Sequence, residues 1–206
     1  MSWSELIRTT RGKWAIAFCF VTLLIVIFYL PHFYGSVITP KPGLFLNDFF
    51  LNLFIPYNWS VIIFTIIYLS IVQTVISVYK KPGLILLGLT TYFGVTIIRM
   101  VTMYLWTLEP PLDMIFLTDP ISTKFYPSGN FAKDMFFSGH VSTMMVLVLI
   151  ERNRVARIAK IRGTMVIAFF LAWQHVHYTV DLVVAPIVTY GVFFTAKKLL
   201  EVPLND

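Results

Sequence analysis

Long apolar segments recur along this chain, and they constrain its fold more than any other feature. A helix that crosses the hydrocarbon core of a bilayer needs about 20 mostly apolar residues. Six stretches approach that length, and they predict helices at about 14–34, 57–79, 83–106, 135–150, 162–177 and 180–198. Only 13% of the residues are charged, about half the share of a soluble domain. We therefore predict an all-α integral membrane protein with six transmembrane helices, in which residues 1–206 form a single membrane domain.

The first apolar run is distinguished from a signal peptide by its length. It exceeds the hydrophobic region of a usual signal peptide, and no small-residue cleavage site follows it. We expect it to be retained as the first transmembrane helix, interrupted near Pro31. The only cysteine, Cys19, lies in this run, so the chain forms no internal disulfide.

Lysines and arginines are distributed unevenly between the predicted loops. Cytoplasmic loops carry an excess of basic residues, so we place the N-terminus in the cytoplasm. Twelve basic residues then lie on the cytoplasmic side, and three, Lys41, Lys124 and Lys133, lie on the other side. The bias predicts an even number of spans and cytoplasmic N- and C-termini. It accounts for the net charge of +6 without nucleic acid, so we expect no nucleic-acid partner. The basic stretch 151–162 is interpreted as an orientation signal rather than as a site for acidic lipids.

Two histidines and an aspartate lie where apolar segments meet polar loops. In this orientation His140 lies near the outer end of the fourth helix, and His177 and Asp181 lie in the outer turn between the fifth and sixth. Ionisable groups at membrane depth are costly to place and indicate function by default. We therefore predict an active site on the extracytoplasmic face.

The spacing of these residues suits phosphoryl transfer. His177 and Asp181 are four residues apart, so on a helix they share a face. A carboxylate fixes the tautomer of an imidazole and stabilises its cation, which suits a histidine nucleophile that forms a phosphohistidine. His140 would act as general acid and then as general base. Ser138 and Gly139 precede it where a helix begins, and free backbone N–H groups there attract phosphate oxygens.

Less specific interpretations exist for each residue. A histidine near a membrane interface is often only a hydrogen-bonding group, and we expect that of His32. His175 points away from His177 on a helix, so we favour a supporting role for it. A metal site built from His140, His175, His177 and Asp181 is conceivable, but no cysteine cluster or HExxH motif supports it. We expect no metal and no cofactor.

Arg99 lies inside the third predicted helix, about 10 Å from its outer end. Its partner is either a substrate phosphate or a buried acid such as Asp134, and guanidinium geometry favours phosphate. In the following loop, Glu109, Asp113 and Asp119 are expected to be solvated charges. A cationic head group would be bound by acids and by aromatic side chains, for which the candidates are Trp106, Tyr126 and Tyr178.

Three sequence blocks resemble the sphingomyelin synthase family, within the lipid phosphatase and phosphotransferase superfamily. Residues 99–108 are similar to an R-x-x-T-M-Y-x-x-T-L block, residues 134–140 to D-x-x-F-S-G-H, and residues 175–185 to H-x-H-Y-T-x-D-V-x-x-A. The resemblance implies six helices and a catalytic triad of His140, His177 and Asp181. It also implies transfer of a phospho-head group from a glycerophospholipid to ceramide, with release of diacylglycerol.

The chain departs from the family pattern at two places. The family's proline-leucine-proline-aspartate block is represented only by residues 46–48, with Asp48 in the position of its acid, and Glu109 stands where the family tends to have proline. Donor head group and acceptor lipid therefore stay open.

Our leading hypothesis is a phosphotransferase of the sphingomyelin synthase type. The alternative is a lipid phosphatase or phospholipase C-like hydrolase that uses the same triad, and a transporter or scaffold is disfavoured because a transport site lies near the midplane. The expected partners are a phospholipid donor, ceramide or diacylglycerol, and the membrane, with homo-oligomerisation left open. The predicted substrate-binding residues are Arg99, Asp134, Ser138, Gly139 and Tyr178.

Overall fold

The structure, a computed structural model, describes residues 3–119 and 132–201, and it is helical. The helices are α1 (Trp3–Arg8), α2 (Thr10–Ile38), α3 (Ser60–Val78), α4 (Pro82–Leu105), α5 (Gly139–Ile150), α6 (Arg154–Trp173) and α7 (Thr179–Leu200). A short 3-10 turn covers Leu51–Leu53. No strand is present in the described residues, where the only extended pairing is a bridge between Leu44 and Leu108. The all-α prediction is confirmed for this part of the chain.

Four of these helices, α2, α3, α4 and α7, are long and apolar enough to cross a membrane. Helix α5 is apolar but has only 12 residues. Helix α6 has 20 residues, and Arg154, Arg157, Lys160 and Arg162 lie in its first turns. The six-span count and the cytoplasmic termini therefore stay predictions.

Helix α6, which corresponds to the fifth predicted helix, begins and ends earlier than the predicted 162–177. The Asn153 side chain accepts the backbone N–H of Ala156 and caps the helix, so all the basic residues that we assigned to a loop except Arg152 lie on α6. The helix ends before His175, whose φ of 57° lies in the left-handed region. Helix α5 starts at Gly139 rather than at 135, because the Ser138 hydroxyl accepts the N–H of Val141 at 3.5 Å and caps it there.

Helix α2 continues through Pro31 instead of breaking near it. Proline has no N–H to donate, and its ring would collide with the carbonyl one turn earlier. The helix adapts through wider π turns at Ile25–Tyr29 and Phe33–Ile38. In the first of these turns the N–H of Leu30 donates to the carbonyl of Ile25.

Helix α5 lies at the centre of the bundle and packs against α3, α4, α6 and α7. Its buried side chains, among them Val141 and Met144, contact Val95, Ile167 and Ala185 from three neighbouring helices. Lipid is as apolar as these side chains, so helix association in a membrane depends on close packing and interhelical hydrogen bonds. Consequently, the arrangement around α5 fixes where its first turn, and thus His140, is held.

A buried ion pair anchors the end of α5 that is distant from His140. Glu151 is fully buried and accepts hydrogen bonds from Lys160 of α6 and from Ser77 of α3, the latter at 2.8 Å. Burial alone would raise the pKa of Glu151, but these hydrogen bonds outweigh it and lower the pKa to about 2. The pair ties three helices together where α5 turns into α6.

Candidate active site

His177 and Asp181 form a buried pair at the start of α7. His177 Nδ1 lies 3.3 Å from Asp181 Oδ2, and the two side chains are 2% and 0% exposed. The same carboxylate oxygen accepts the backbone N–H of Tyr178 at 3.2 Å. His177 precedes the helix, so the pair does not share a helical face as we had expected. The two side chains meet because the Asp181 carboxylate, in the first turn of α7, is directed back at His177, which lies just before the helix.

This contact determines which nitrogen of His177 is available for chemistry. With Nδ1 directed at Asp181, a neutral ring carries its proton on Nδ1, and Nε2 is left with its lone pair. A second oxygen of the carboxylate, Asp181 Oδ1, is buried and has no hydrogen-bond partner in the described residues. The negative charge of Asp181 is therefore available to stabilise an imidazolium or an N-substituted His177.

His140 faces His177 from the first turn of α5. The two ring centroids lie 6.4 Å apart with the planes at 62°, and the Phe64 ring packs nearly perpendicular to His140 with its centroid 5.7 Å away. His140 Nδ1 is buried and has no hydrogen-bond partner among the described residues. The structure thus brings His140 and His177 together, and their roles in catalysis stay predictions.

Ser138 and Gly139 form the entry to α5. The backbone N–H of Ser138 donates to the backbone carbonyl of Asp181 at 3.2 Å, which joins the two helix starts directly. The Ser138 side chain caps its own helix and is completely buried. The N-terminus of α5 is consequently held beside the histidine pair, where its N–H groups and dipole favour an anion.

Arg99 reaches this helix start from α4. Its Nε donates to the carbonyl of Phe137 at 2.7 Å, and its Nη2 pairs with Asp134 at 2.5 Å. The guanidinium lies so close to Gly139 that a Cβ there would be 2.5 Å from Nη1, so any larger residue would force the guanidinium to move. Of the two partners that we considered for Arg99, the structure shows Asp134, and the phosphate contact stays a prediction.

Asp134 is bound from two sides. Its Oδ1 accepts Arg99 Nη2 and also the hydroxyl of Tyr34 on α2, the latter at 2.8 Å. Burial alone would raise the pKa of Asp134, but the Arg99 guanidinium, the nearby histidines and the Tyr34 hydrogen bond together outweigh burial and hold that pKa below its usual value. Tyr34 was missed at the sequence level, where the only signal was a hydroxyl late in an apolar helix.

A cavity of about 280 Å³ opens beside His140 between α3, α4 and α5. Arg99, Asp134 and Gly139 line it together with Asp119, which we had expected to be a solvated loop charge. Instead, Asp119 accepts the hydroxyl of Tyr68 at 2.5 Å, and both residues are partly buried. The cavity therefore offers both cationic and anionic side chains next to the candidate general acid.

Gln174 explains how the loop before Asp119 enters the bundle. Its side chain is fully buried, accepts the N–H of Trp59 and donates to the carbonyls of Ile115 and Phe116 and to the Ser60 hydroxyl. These contacts were not predicted from the sequence, because an isolated glutamine between a tryptophan and a histidine forms no distinctive pattern. Gln174 thus positions the loop that leads to Asp119.

Tyr178 is placed differently from the head-group contact that we predicted. It is 2% exposed, donates its hydroxyl to the carbonyl of Glu109 at 3.0 Å and accepts the N–H of Leu46 at 3.4 Å. Burial raises the pKa of this phenol. Tyr178 anchors two loops over α7, and its role in binding substrate stays a prediction.

Two other residues hold the same loops. Asp48 accepts both the N–H and the hydroxyl of Thr179, at 2.6 and 3.0 Å, and so caps α7 from outside the helix. His175 directs its two ring nitrogens at the carbonyls of Leu51 and Leu112, at 3.0 and 3.1 Å. This is a supporting arrangement of the kind that we expected for His175.

The two other loop acids, Glu109 and Asp113, have different surroundings. Glu109 pairs with Lys133, which lowers its pKa, whereas Asp113 is exposed. Trp106 is 62% exposed, and Tyr126 lies outside the described residues. Within residues 3–119 and 132–201, no group of three or more His, Cys, Asp or Glu side chains is arranged to hold a metal ion.

Comparison with protein families identifies one match. Residues 133–198 match the family model described as the PAP2 superfamily C-terminal domain, which belongs to a lipid phosphatase and phosphotransferase superfamily. The matched region includes α5, α6 and most of α7, and therefore His140, His177 and Asp181. A search of curated proteins returns no match to the chain. The family match supports lipid phosphatase or phosphotransferase chemistry, and the sphingomyelin synthase type is a finer assignment than it reaches.

Proposed function

We propose that this protein transfers a phospho-head group from a glycerophospholipid to ceramide or a related lipid alcohol through a phosphohistidine, releasing diacylglycerol. The observation that carries the proposal is the pairing of His177 Nδ1 with Asp181 at 3.3 Å while His140 faces the same ring. One imidazole oriented by a carboxylate and a second imidazole opposite it are the parts that two-step phosphoryl transfer needs.

In the first half-reaction His177 Nε2 attacks the phosphorus of the donor. The N–P bond forms as the bond from phosphorus to the diacylglycerol oxygen breaks, and protonated His140 delivers its proton to that oxygen. Asp181 stabilises the positive charge that develops on His177. Diacylglycerol leaves with the proton, and the head group remains as a phosphoramidate on His177.

The second half-reaction runs the same steps in reverse with a new alcohol. Neutral His140 takes the proton from the acceptor hydroxyl, and the acceptor oxygen attacks phosphorus. The N–P bond breaks, its electron pair returns to Nε2, and His177 is regenerated. His140 ends protonated, ready for the next donor, so that no external proton or cofactor is consumed.

Arg99 and the first turn of α5 would stabilise the phosphoryl oxygens. Phosphoryl transfer depends mainly on positioning and on electrostatic stabilisation of those oxygens. Arg99 lines the cavity beside His140, and the N-terminus of α5 adds N–H groups and a helix dipole on the same side. We assign substrate binding to Arg99, Ser138 and Gly139, with Asp134 orienting the arginine.

The alternative function is hydrolysis of the phosphohistidine by water. The polar wall of the cavity beside His140, with Asp119, Asp134 and Thr143, favours it because such a wall admits water as well as an alcohol. A lipid phosphatase or phospholipase C-like enzyme would use the same three residues. The two functions differ only in the molecule that accepts the phosphoryl group in the second half-reaction, which is water or a lipid alcohol.

Membrane placement is the second part of the proposal. We propose a six-span protein with both termini in the cytoplasm and with the triad on the extracytoplasmic face. Four helices are long and apolar enough to span, and His140, His177 and Asp181 lie at one end of the bundle. Association into homo-oligomers is left open, and its measurement is independent of the chemistry.

The test uses purified full-length protein in vesicles that contain ceramide and a donor with a labelled head group. Choline, ethanolamine and inositol donors are compared in parallel. A labelled phosphosphingolipid with an equal amount of diacylglycerol supports the transferase, and free phospho-head group alone supports the hydrolase. If no donor reacts while the intact protein stays folded, the proposal is wrong. His177→Ala in the same vesicles gives the background.

A further inference from the structure

The loop between α2 and α3 exposes an unusual amount of apolar surface. Residues 44–57, the apolar loop, contain eight large apolar side chains that are at least 38% exposed. Phe49 is 74% exposed and Ile55 is 88% exposed. Contiguous apolar surface of this kind indicates an interaction with a partner or a membrane.

Charge within the apolar loop is confined to one inward-facing group. Asp48 is the only charged residue between positions 44 and 57. Its carboxylate is engaged by Thr179 and by the N–H of Phe50, so it caps α7 rather than facing outward. The outward surface of this loop therefore carries no formal charge.

The backbone of the apolar loop is partly satisfied by internal partners. Leu44 exchanges two hydrogen bonds with Thr107 and Glu109, and the N–H groups of Leu53 and Phe54 donate within the Leu51–Leu53 turn. Side chains bind other polar groups, with His175 at the carbonyl of Leu51 and the Trp173 indole donating to the carbonyl of Ile55. Unsatisfied backbone groups are what exclude irregular chain from lipid, and here many are already paired.

We propose that the apolar loop is embedded in the interfacial zone of the lipid leaflet nearest to His140 and His177, with its exposed side chains among the upper acyl segments. Asp48 and Tyr178 bind the loop to the start of α7, so the loop lies at the same end of the molecule as His177. Its surface is continuous with the lipid-facing side of α3, where Val61 is 76% exposed. Aromatic side chains such as Phe49 and Tyr57 suit the level where acyl chains meet head groups.

A consequence concerns the cleft of about 570 Å³ beneath the loop. Phe45 and Leu46 of the loop line this cleft together with Leu112 and Tyr178. An embedded loop brings the mouth of the cleft to the bilayer surface, so lipid head groups reach it without leaving the leaflet. The inference goes beyond the proposed chemistry, because it concerns where the loop lies and not which bond is broken.

The test measures the depth of single nitroxide labels in vesicles. Cys19→Ala removes the only cysteine, and Phe49→Cys and Ile55→Cys introduce labelling sites in the apolar loop. Leu69→Cys, on an exposed part of α3, is the reference within the bilayer. Lys80→Cys, in the exposed turn between α3 and α4, is the reference in water. Collisions with oxygen and with a water-soluble nickel chelate are compared at all four sites.

We expect labels at 49 and 55 to collide at least several-fold more with oxygen, relative to the nickel chelate, than the label at 80. Nickel access equal to that at 80 overturns the proposal, because the loop then lies in water. Protection from both reagents also overturns it, and dipolar broadening between labels would then identify a second copy of the chain as the partner. None of these outcomes depends on enzymatic turnover, so the loop placement fails or holds separately from the proposed function.

Discussion

The backbone N–H of Ser138 donates to the backbone carbonyl of Asp181 at 3.2 Å. One end of this bond begins the helix that carries His140, and the other end belongs to the residue that orients His177. The two histidines are therefore positioned relative to each other by main chain, not only by long flexible side chains. Small movements of α5 against α7 should consequently alter the distance across which a phosphoryl group is transferred.

The first prediction concerns the triad itself. His177→Ala removes the nucleophile, and Asp181→Asn removes the charge that orients it, so we expect each to lose on the order of 10³-fold or more in turnover. Steady-state transfer of labelled head group measures the loss, and circular dichroism checks that the helices persist. His32→Ala is the matched control, since the contacts of His32, with Ser36 and Tyr29, lie within its own helix, and the change should leave turnover unchanged. Full activity in His177→Ala would remove our nucleophile.

Sequence reasoning pointed to residues whose type was unexpected in their surroundings. His140, His177 and Asp181 are ionisable groups at the ends of apolar segments, and the basic residues that begin α6 indicated a connection between two apolar segments. It failed where contacts are made by ordinary residues across long sequence separations. Tyr34 binds Asp134 over 100 residues, and Gln174 binds Trp59 over 115, and neither stands out locally. The boundaries of α5 and α6 shifted because caps at Ser138 and Asn153, rather than hydropathy, set where those helices begin.

The second prediction concerns the close approach of Arg99 to Gly139. In Gly139→Ala the new Cβ would lie 2.5 Å from Arg99 Nη1, so the guanidinium must move away from the start of α5. We expect turnover to fall about 100-fold, since displacement of a catalytic group by about 1 Å costs that much. Gly35→Ala is the matched control, because its Cβ would meet nothing within 4 Å. If the clash is the cause, adding Gly139→Ala to Arg99→Ala should cost no further activity, and additive losses would contradict it.

The third prediction separates the two groups that hold Asp134. Tyr34→Phe removes the hydrogen bond that the neutral phenol donates to the carboxylate. We expect the variant to lose about 1 kcal/mol of stability and a small part of its turnover. Asp134→Asn removes the charge that pairs with Arg99, and we expect a loss of about 2–3 kcal/mol and a larger fall in turnover. Thermal unfolding in detergent and vesicle assays measure both quantities. If Tyr34→Phe loses as much stability and turnover as Asp134→Asn, the tyrosine rather than the arginine holds Asp134 in place.

The fourth prediction is that a chelator leaves turnover unchanged. Of the residues that we considered for a metal site, His175 has both ring nitrogens directed at carbonyl oxygens, so it has no nitrogen left for a metal. The proposed steps need only acid, base and nucleophile from the protein. The measurement compares transfer before and after dialysis against a strong chelator. Loss of activity that one divalent metal restores would replace the phosphohistidine mechanism with a metal-assisted one.

The last prediction concerns stability and the buried pair of Glu151 and Lys160. The pKa of Glu151 is held at about 2 in the folded protein, against about 4.3 in an unfolded chain. A depressed folded-state pKa contributes stability that is present above the unfolded value and is lost as pH falls from about 4 through about 2. At neutral pH the difference corresponds to about 3 kcal/mol, so Glu151→Gln should destabilise by that order and should weaken the dependence of unfolding on pH below 4.

Two comparisons make this prediction specific. Glu201→Gln breaks the exposed pair of Arg11 and Glu201, whose side chains are 57% and 70% exposed, and it should cost less than about 1 kcal/mol. Lys160→Met alone leaves a buried carboxylate without its cation, so it should be worse than Glu151→Gln and Lys160→Met combined. Thermal unfolding at pH 7 and at pH 3 measures each variant. Equal costs for the buried and the exposed pair would mean that Glu151 does not tie α3, α5 and α6 together, and that its pKa does not reflect the contacts described above.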